Sequence, residues 1–256
     1  TSALVFVPPP TTAEPSFVRS ATGWAMEIVD CSGQVGEYAS LALDANDKAH
    51  ISYWDRTSQN LVYATNADGR WKRSVVDDSG NVGAFTSIAV DAFGAPHISY
   101  HTWDTQDLRY ARFADGIWII LTVDETGNVG QYSSLALDAD DKAHISYYDA
   151  TNGDLKYATN AGGWFVPGTV DSAGNVGQYS SLALDADGLA HISYFDATNG
   201  DLEYARRTVS DWQFETVDSE WDVGKHTSLA LDHSGVAHIS YVDVSYGNLK
   251  YAAKEG

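Results

Sequence analysis

The chain repeats itself every 47 residues, and any fold it adopts must accommodate that period first. His50, His97, His144, His191 and His238 are each followed by Ile-Ser-Tyr, at a constant step of 47. Val-Asp pairs ending at Asp30, Asp77, Asp124, Asp171 and Asp218 keep the same step, as do Trp24, Trp71, Trp118, Phe165 and Trp212. Residues 22–256 divide into five units without net insertion: 22–68, 69–115, 116–162, 163–209 and 210–256. Residues 1–21 stand outside the period and read as an N-terminal extension or linker, with Pro8 to Thr12 extended.

Each unit reads as four short strands. In the fourth they are Trp164 to Val170, Tyr179 to Asp185, Ala190 to Asp196 and Asp201 to Ala205. Asp187-Gly188 and Asn199-Gly200 suit two-residue hairpins, because both central residues tolerate positive φ. The stretch Asp171 to Gly177 is too long for a tight turn and reads as a crossing loop. No window of helical length shows a 3.6-residue apolar period. If Asp187-Gly188 is the turn, Ser181 faces Tyr194, Leu184 faces His191 and Tyr179 faces Asp196. Alternation then groups His191 with Leu182 and Leu184.

A repeated unit of four antiparallel strands, 40 to 50 residues long, marks a β-propeller blade. The motifs Ser-Leu-Ala-Leu-Asp, His-Ile-Ser-Tyr-aromatic-Asp and Asp-Leu-Lys-Tyr-Ala resemble a repeat of bacterial secreted or surface proteins. The chain resembles a five-bladed β-propeller built from such repeats, over residues 22–256. It is similar to lectin-type, tachylectin-like propellers in architecture alone. This implies an all-β ring. The phase of the repeat predicts closure by the N-terminal strand, Trp24 to Val29, joining Leu249 to Ala252 in the C-terminal blade.

Charge and composition narrow the function. Asp and Glu number 35 against 15 Lys and Arg, a formal net charge of −20. Nucleic-acid binding and a polybasic membrane anchor both need the cationic clusters this chain lacks. No apolar run is long enough to insert in a bilayer. The single Cys31 forms no intramolecular disulfide and no zinc-type thiol cluster.

The five His invite a metal ring, but a residue on the second strand belongs between blades, its ring nitrogens bonded to a neighbouring blade. Asp44, Asp91, Asp138, Asp185 and Asp232 precede tight turns and read as turn caps, not as a cation site. No metal or other cofactor is expected. The stronger candidate is composite: the crossing loop and the Asn-Gly hairpin emerge at one end of each blade. The ligand-binding candidates there are Tyr38, Asp55, Asn128, Gln131, Tyr132, Asp149, Asn175, Gln178, Tyr179, Asp196, Trp221 and Asp243. Aromatic faces with planar amides and carboxylates suit sugars. The alternative is that Tyr179 and Asp196 hydrogen-bond each other and pin the loop.

Departures from the repeat occur at His101-Thr102-Trp103-Asp104 and at Trp221-Asp222, followed by Lys225-His226. No spacing pairs two carboxylates for acid–base work, and no nucleophile or phosphate-loop motif occurs. No catalytic residue is assigned. The reading is a non-catalytic, multivalent, lectin-like binding module, extracellular or at the cell surface and a monomeric ring, whose partner is a glycan or a surface protein. A structural or protein-interaction propeller is the alternative, and a glycoside-active enzyme ranks last. With a charge of −20, moderate salt or a divalent cation should raise the melting temperature by screening self-repulsion. A flat profile in a salt-series thermal melt would contradict this.

Overall fold

A computed structural model describes residues 18–19 and 25–254. It is all-β, and no helix occurs among the described residues. Five antiparallel sheets follow one another along the chain, in a repeated β-propeller fold. Sheet I comprises Val35–Leu43, Ala49–Asp55, Asn60–Thr65 and Lys72–Asp77. Sheet II comprises Val82–Val90, Pro96–Thr102, Leu108–Ala114 and Ile117–Asp124. Sheet III comprises Val129–Leu137, Ala143–Asp149, Asp154–Thr159 and Val166–Asp171. Sheet IV comprises Val176–Leu184, Ala190–Asp196, Asp201–Arg207 and Trp212–Asp218. Sheet V comprises Val223–Leu231, Ala237–Asp243 and Asn248–Ala253. Within each, strands pair in chain order, and the first strand packs beside the first strand of the next sheet.

The core lies between sheets. Leu108 and Tyr110 of sheet II cluster with Val129, Leu135 and Ile145 of sheet III, and equivalent clusters fill the other junctions. Burying each such aliphatic side chain contributes about 1.5–3 kcal/mol. Glycine sets the approach. A Cβ on Gly83, Gly130, Gly177 or Gly224 would lie 2.9 Å or less from the Cα of Leu61, Leu108, Leu155 or Leu202 in the preceding sheet. Hydrogen bonds fix the register across each junction. Between sheets I and II, Val82 N–H donates to Gln59 C=O at 2.9 Å and Ile88 N–H to Ser40 Oγ at 3.1 Å. The Ser52 and Thr86 hydroxyls bond each other, and Tyr100 O–H donates to Asp77 at 2.7 Å.

The expected hairpin register is off by one. Ala183 pairs with His191 and Ser181 with Ser193, because the connection is a five-residue loop and not a two-residue turn. Asp185 imposes it: Oδ1 accepts from Asp187 N–H at 3.0 Å and Leu189 N–H at 2.9 Å. The same capping recurs at Asp44, Asp91, Asp138 and Asp232, in line with the turn-cap expectation. The slip carries His191 to the face of Ser181 and Ser193, away from the leucines.

The expected closure is not formed. Ala25–Met26 pairs with Val18–Arg19 and not with the third strand of sheet V; Trp24 lies outside the described residues. Pairing with a near neighbour closes a short loop, whereas joining sheet V would close a loop almost as long as the chain. Among the described residues, no hydrogen bond joins sheet V to sheet I.

The histidines bond within their own sheet and not to a neighbouring one. His191 Nδ1 meets the Tyr204 hydroxyl at 2.5 Å and Nε2 meets Asp185 Oδ2 at 3.3 Å. The carboxylate only accepts, so Nε2 carries the proton and Nδ1 accepts from tyrosine. Both nitrogens are occupied, as they are in His97 and His144. Burial lowers the pKa of His50, His97, His144 and His191 and outweighs the adjacent carboxylate. These histidines are neutral in the fold but free to protonate when unfolded. Stability is therefore complete above the unfolded value near 6.5 and falls as pH drops through the folded values. Thermal unfolding between pH 7.5 and 5 should show a falling melting temperature; a constant one would contradict the assignment.

Candidate functional site

One residue in each first strand breaks the backbone pattern. Tyr38, Phe85, Tyr132, Tyr179 and His226, one period apart, have φ of 55°, 50°, 53°, 56° and 53°. Bulky residues rarely take this left-handed conformation, which costs about 1–3 kcal/mol each. The cause is local. Gly177 (φ 100°) lets the strand pass Leu155, and the ladder then skips from Gln178↔Phe195 to Ser181↔Ser193. The resulting bulge turns Tyr179 out of the sheet.

The five side chains meet around the mouth of the central axis. Ring centroids lie 4.6 Å apart for Tyr38–Phe85, 4.8 Å for Phe85–Tyr132, 4.6 Å for Tyr132–Tyr179 and 4.4 Å for Tyr179–His226. Together with Ala39, Thr86, Ser133, Ser180 and Thr227 they line a cavity of about 470 Å³. Burial and the neighbouring Tyr179 hydroxyl push the Tyr132 hydroxyl up to about 12. Burial also raises Tyr38. These hydroxyls stay protonated at neutral pH and can both donate and accept.

Of the sequence candidates, Tyr38, Tyr132 and Tyr179 belong to this collar. The carboxylates do not. Asp149 is buried and accepts from Thr151 N–H, Asn152 N–H and the Asn152 side chain. Asp55 and Asp196 cap their hairpins the same way, and Asp243 accepts from Tyr246 N–H. Tyr179 and Asp196 do not bond each other: the carboxylate is spent on the hairpin. The amides are also engaged. Gln178 donates to Asn175 Oδ1 at 3.3 Å, which also accepts from Tyr148 O–H at 2.7 Å. Gln131 donates to Asn128 at 3.2 Å. Asn175 N–H donates to Thr198 Oγ1, so loop and hairpin do lie together. Trp221 is exposed and edge-on to Tyr246, apart from the collar.

Residue type does not single out Phe85, and His226 stands out in the sequence only as a departure from the repeat; the period places both in the collar. The departures in the second repeat are structural. His101 Nδ1 bonds Val129 C=O at 2.9 Å, and Asp104 accepts from Asn81 N–H where the other repeats use a threonine or serine hydroxyl. A different departure, Glu203, escaped the sequence reading. Of its four repeat equivalents, Arg109, Lys156 and Lys250 each pair with the Asp that receives a tyrosine O–H, and the fourth is the uncharged Val62. In sheet IV that Asp is Asp171, bonded to Tyr194 at 2.7 Å. Burial, with Asp201, Asp196 and Asp171 nearby, raises the Glu203 pKa. Among the described residues no group of three or more metal-ligating side chains occurs.

No protein-family model and no curated protein matches the chain. Solved structures do. An Aleuria aurantia lectin in complex with Fucalpha1-6GlcNAc superposes with a TM-score of 0.57 at 12% identity, over 84% of this chain and 74% of that one. A polysaccharide lyase, an ulvan lyase bound to a GlcA(1-4)Rha3S glycan, gives 0.56 at 12% identity over 84% and 68%. A Hadza microbial sialidase gives 0.55 at 10% identity over 85% and 56%. These likenesses are of fold, and the fold is shared by carbohydrate-binding and carbohydrate-cleaving proteins. They overturn the expectation that the chain is not an enzyme, since a lyase and a sialidase stand on the same scaffold.

Replacing Glu203 by Lys should restore the cation beside Asp171 and raise stability by about 1 kcal/mol. Denaturant unfolding checks this; an unchanged or lower midpoint would contradict it.

Proposed function

We propose that the five sheets are blades of a β-propeller and that the aromatic collar at its axis binds a neutral carbohydrate. The observation that carries this reading is the set of five ring-bearing residues held at positive φ around one cavity. Strain that recurs at one position in every repeat is retained where it serves a site. Aromatic faces stack on the C–H faces of sugar rings, and neutral tyrosine hydroxyls satisfy sugar hydroxyls. The net charge of −20 disfavours an anionic ligand. The fold neighbours support a glycan as the ligand class. An extracellular or cell-surface setting, where glycans are met, is part of the same proposal.

The collar mixes Tyr, Phe and His, so its five members are not equivalent. This favours one ligand per chain at the axis over five repeated peripheral clefts. Isothermal titration against neutral oligosaccharides should give about one site per chain. Tyr132→Ala and Tyr179→Ala should each weaken binding roughly tenfold, whereas Asn175→Ala should leave it within about twofold. Binding lost in Asn175→Ala but kept in both tyrosine variants would move the site to the loop clefts. An array without a hit would overturn the proposal.

A further inference from the structure

A groove between the fourth strand of sheet II and the hairpins of sheet III encloses about 630 Å³. Small-molecule sites commonly span about 300–1,000 Å³. The back wall of the groove, His97, Tyr110 and Phe165, follows the repeat. Its rim does not. Arg112, Leu121, Lys142 and Trp164 line it, and no other junction assembles this set. The equivalents are Thr65, Ser74, Ala95 and Ile117 between sheets I and II, and Thr159, Gly168, Leu189 and Asp211 between sheets III and IV. Between sheets IV and V they include Arg206, Glu215 and Val236, and Arg206 pairs with Asp185 at 3.9 Å. Trp164 is 82% exposed. Arg112 and Lys142 have no carboxylate partner among the described residues, whereas the nearby Arg109 and Lys156 are both paired. Asp141 also lines the groove, and its Oδ1 accepts from Ala92 N–H at 3.2 Å across the junction. With His97 neutral, the side chains around the groove carry two positive charges against one negative. Asn160 Oδ1 accepts from Ala143 N–H at 2.8 Å, which leaves its side-chain N–H groups to donate.

We propose that this groove binds an acidic sugar, its anion held by Arg112 and Lys142 and its ring laid on Trp164. Guanidinium and ammonium donors suit a carboxylate or a sulfate. The indole face, continued by Leu121, suits the C–H face of a pyranose, and Asn160 donates to a hydroxyl. A bare inorganic anion would use the cations and leave the indole uncovered. The net charge of −20 opposes an anion only from a distance. Charges more than about 8 Å away are largely screened at physiological ionic strength. The groove is separate from the axial collar. Tyr132 stands near the start of Val129–Leu137, Lys142 lies beyond its end, and no residue lines both cavities. Binding here does not depend on a neutral sugar at the collar.

Isothermal titration of the full chain tests this with three short oligosaccharides, one of uronic acids, one sulfated and one neutral. At least one acidic oligomer should bind, and the carboxylate and sulfate arms show which anion is taken. Arg112→Ala, Lys142→Ala and Trp164→Ala should each weaken that binding about tenfold. All three side chains lie at the rim, so the variants should keep the wild-type melting temperature. Tyr132→Ala and Tyr179→Ala, at the distant collar, should leave acidic binding within about twofold. Any binding of the neutral oligomer should be unaffected by the groove variants; its loss in the collar variants alone bears only on the collar. No binding of either acidic oligomer would overturn the proposal. So would acidic binding lost in the collar variants but kept in the groove variants. Inorganic sulfate bound as tightly as the sulfated oligomer, and indifferent to Trp164→Ala, would reduce the groove to an anion site and overturn it as well.

Discussion

The close passage of a glycine over a leucine backbone at each inter-sheet junction is the constraint on which the rest of this structure depends. Gly83, Gly130, Gly177 and Gly224 let adjacent sheets approach until backbone N–H groups reach carbonyls and serine hydroxyls of the preceding sheet. Any side chain there would hold the sheets apart, and the leucine, valine and tyrosine clusters between them would not seal. The same glycine begins the bulge that puts a ring-bearing residue into the left-handed region two positions later. Packing and the candidate site thus share one local cause.

Much of this was legible in the sequence. The 47-residue period gave the number of repeated units and the all-β class, and Asp before each tight turn announced its capping role. The register was not legible. An Asp-Gly pair signals a two-residue hairpin, but the Asp185 side chain accepts two backbone N–H groups and opens a longer loop. The resulting one-residue slip exchanged the faces of the whole hairpin. Closure was misjudged for a related reason: phase says which strand is missing from a sheet, not which partner that strand prefers.

The candidate site was half legible. Tyr38, Tyr132 and Tyr179 were singled out because tyrosine suits sugars; Phe85 and His226 occupy the same position but do not share the chemistry. The carboxylates paired with them in that reading are taken up by backbone N–H groups of the hairpins, a use that short-range patterns rarely reveal. Glu203 is an acid where three of the other four repeats place a cation and the first places Val62, and alignment of the units on their period exposes it.

The junction also explains why the outer flanks differ from everything between them. Hydrogen exchange read at single amides tests this most directly. The Ile88, Leu135, Leu182 and Leu229 N–H groups, each bonded to a serine in the preceding sheet, should exchange slowly in dilute protein. The equivalent Leu41 N–H, without a serine partner among the described residues, should exchange much faster. Equal protection at all five positions in dilute protein would contradict the account.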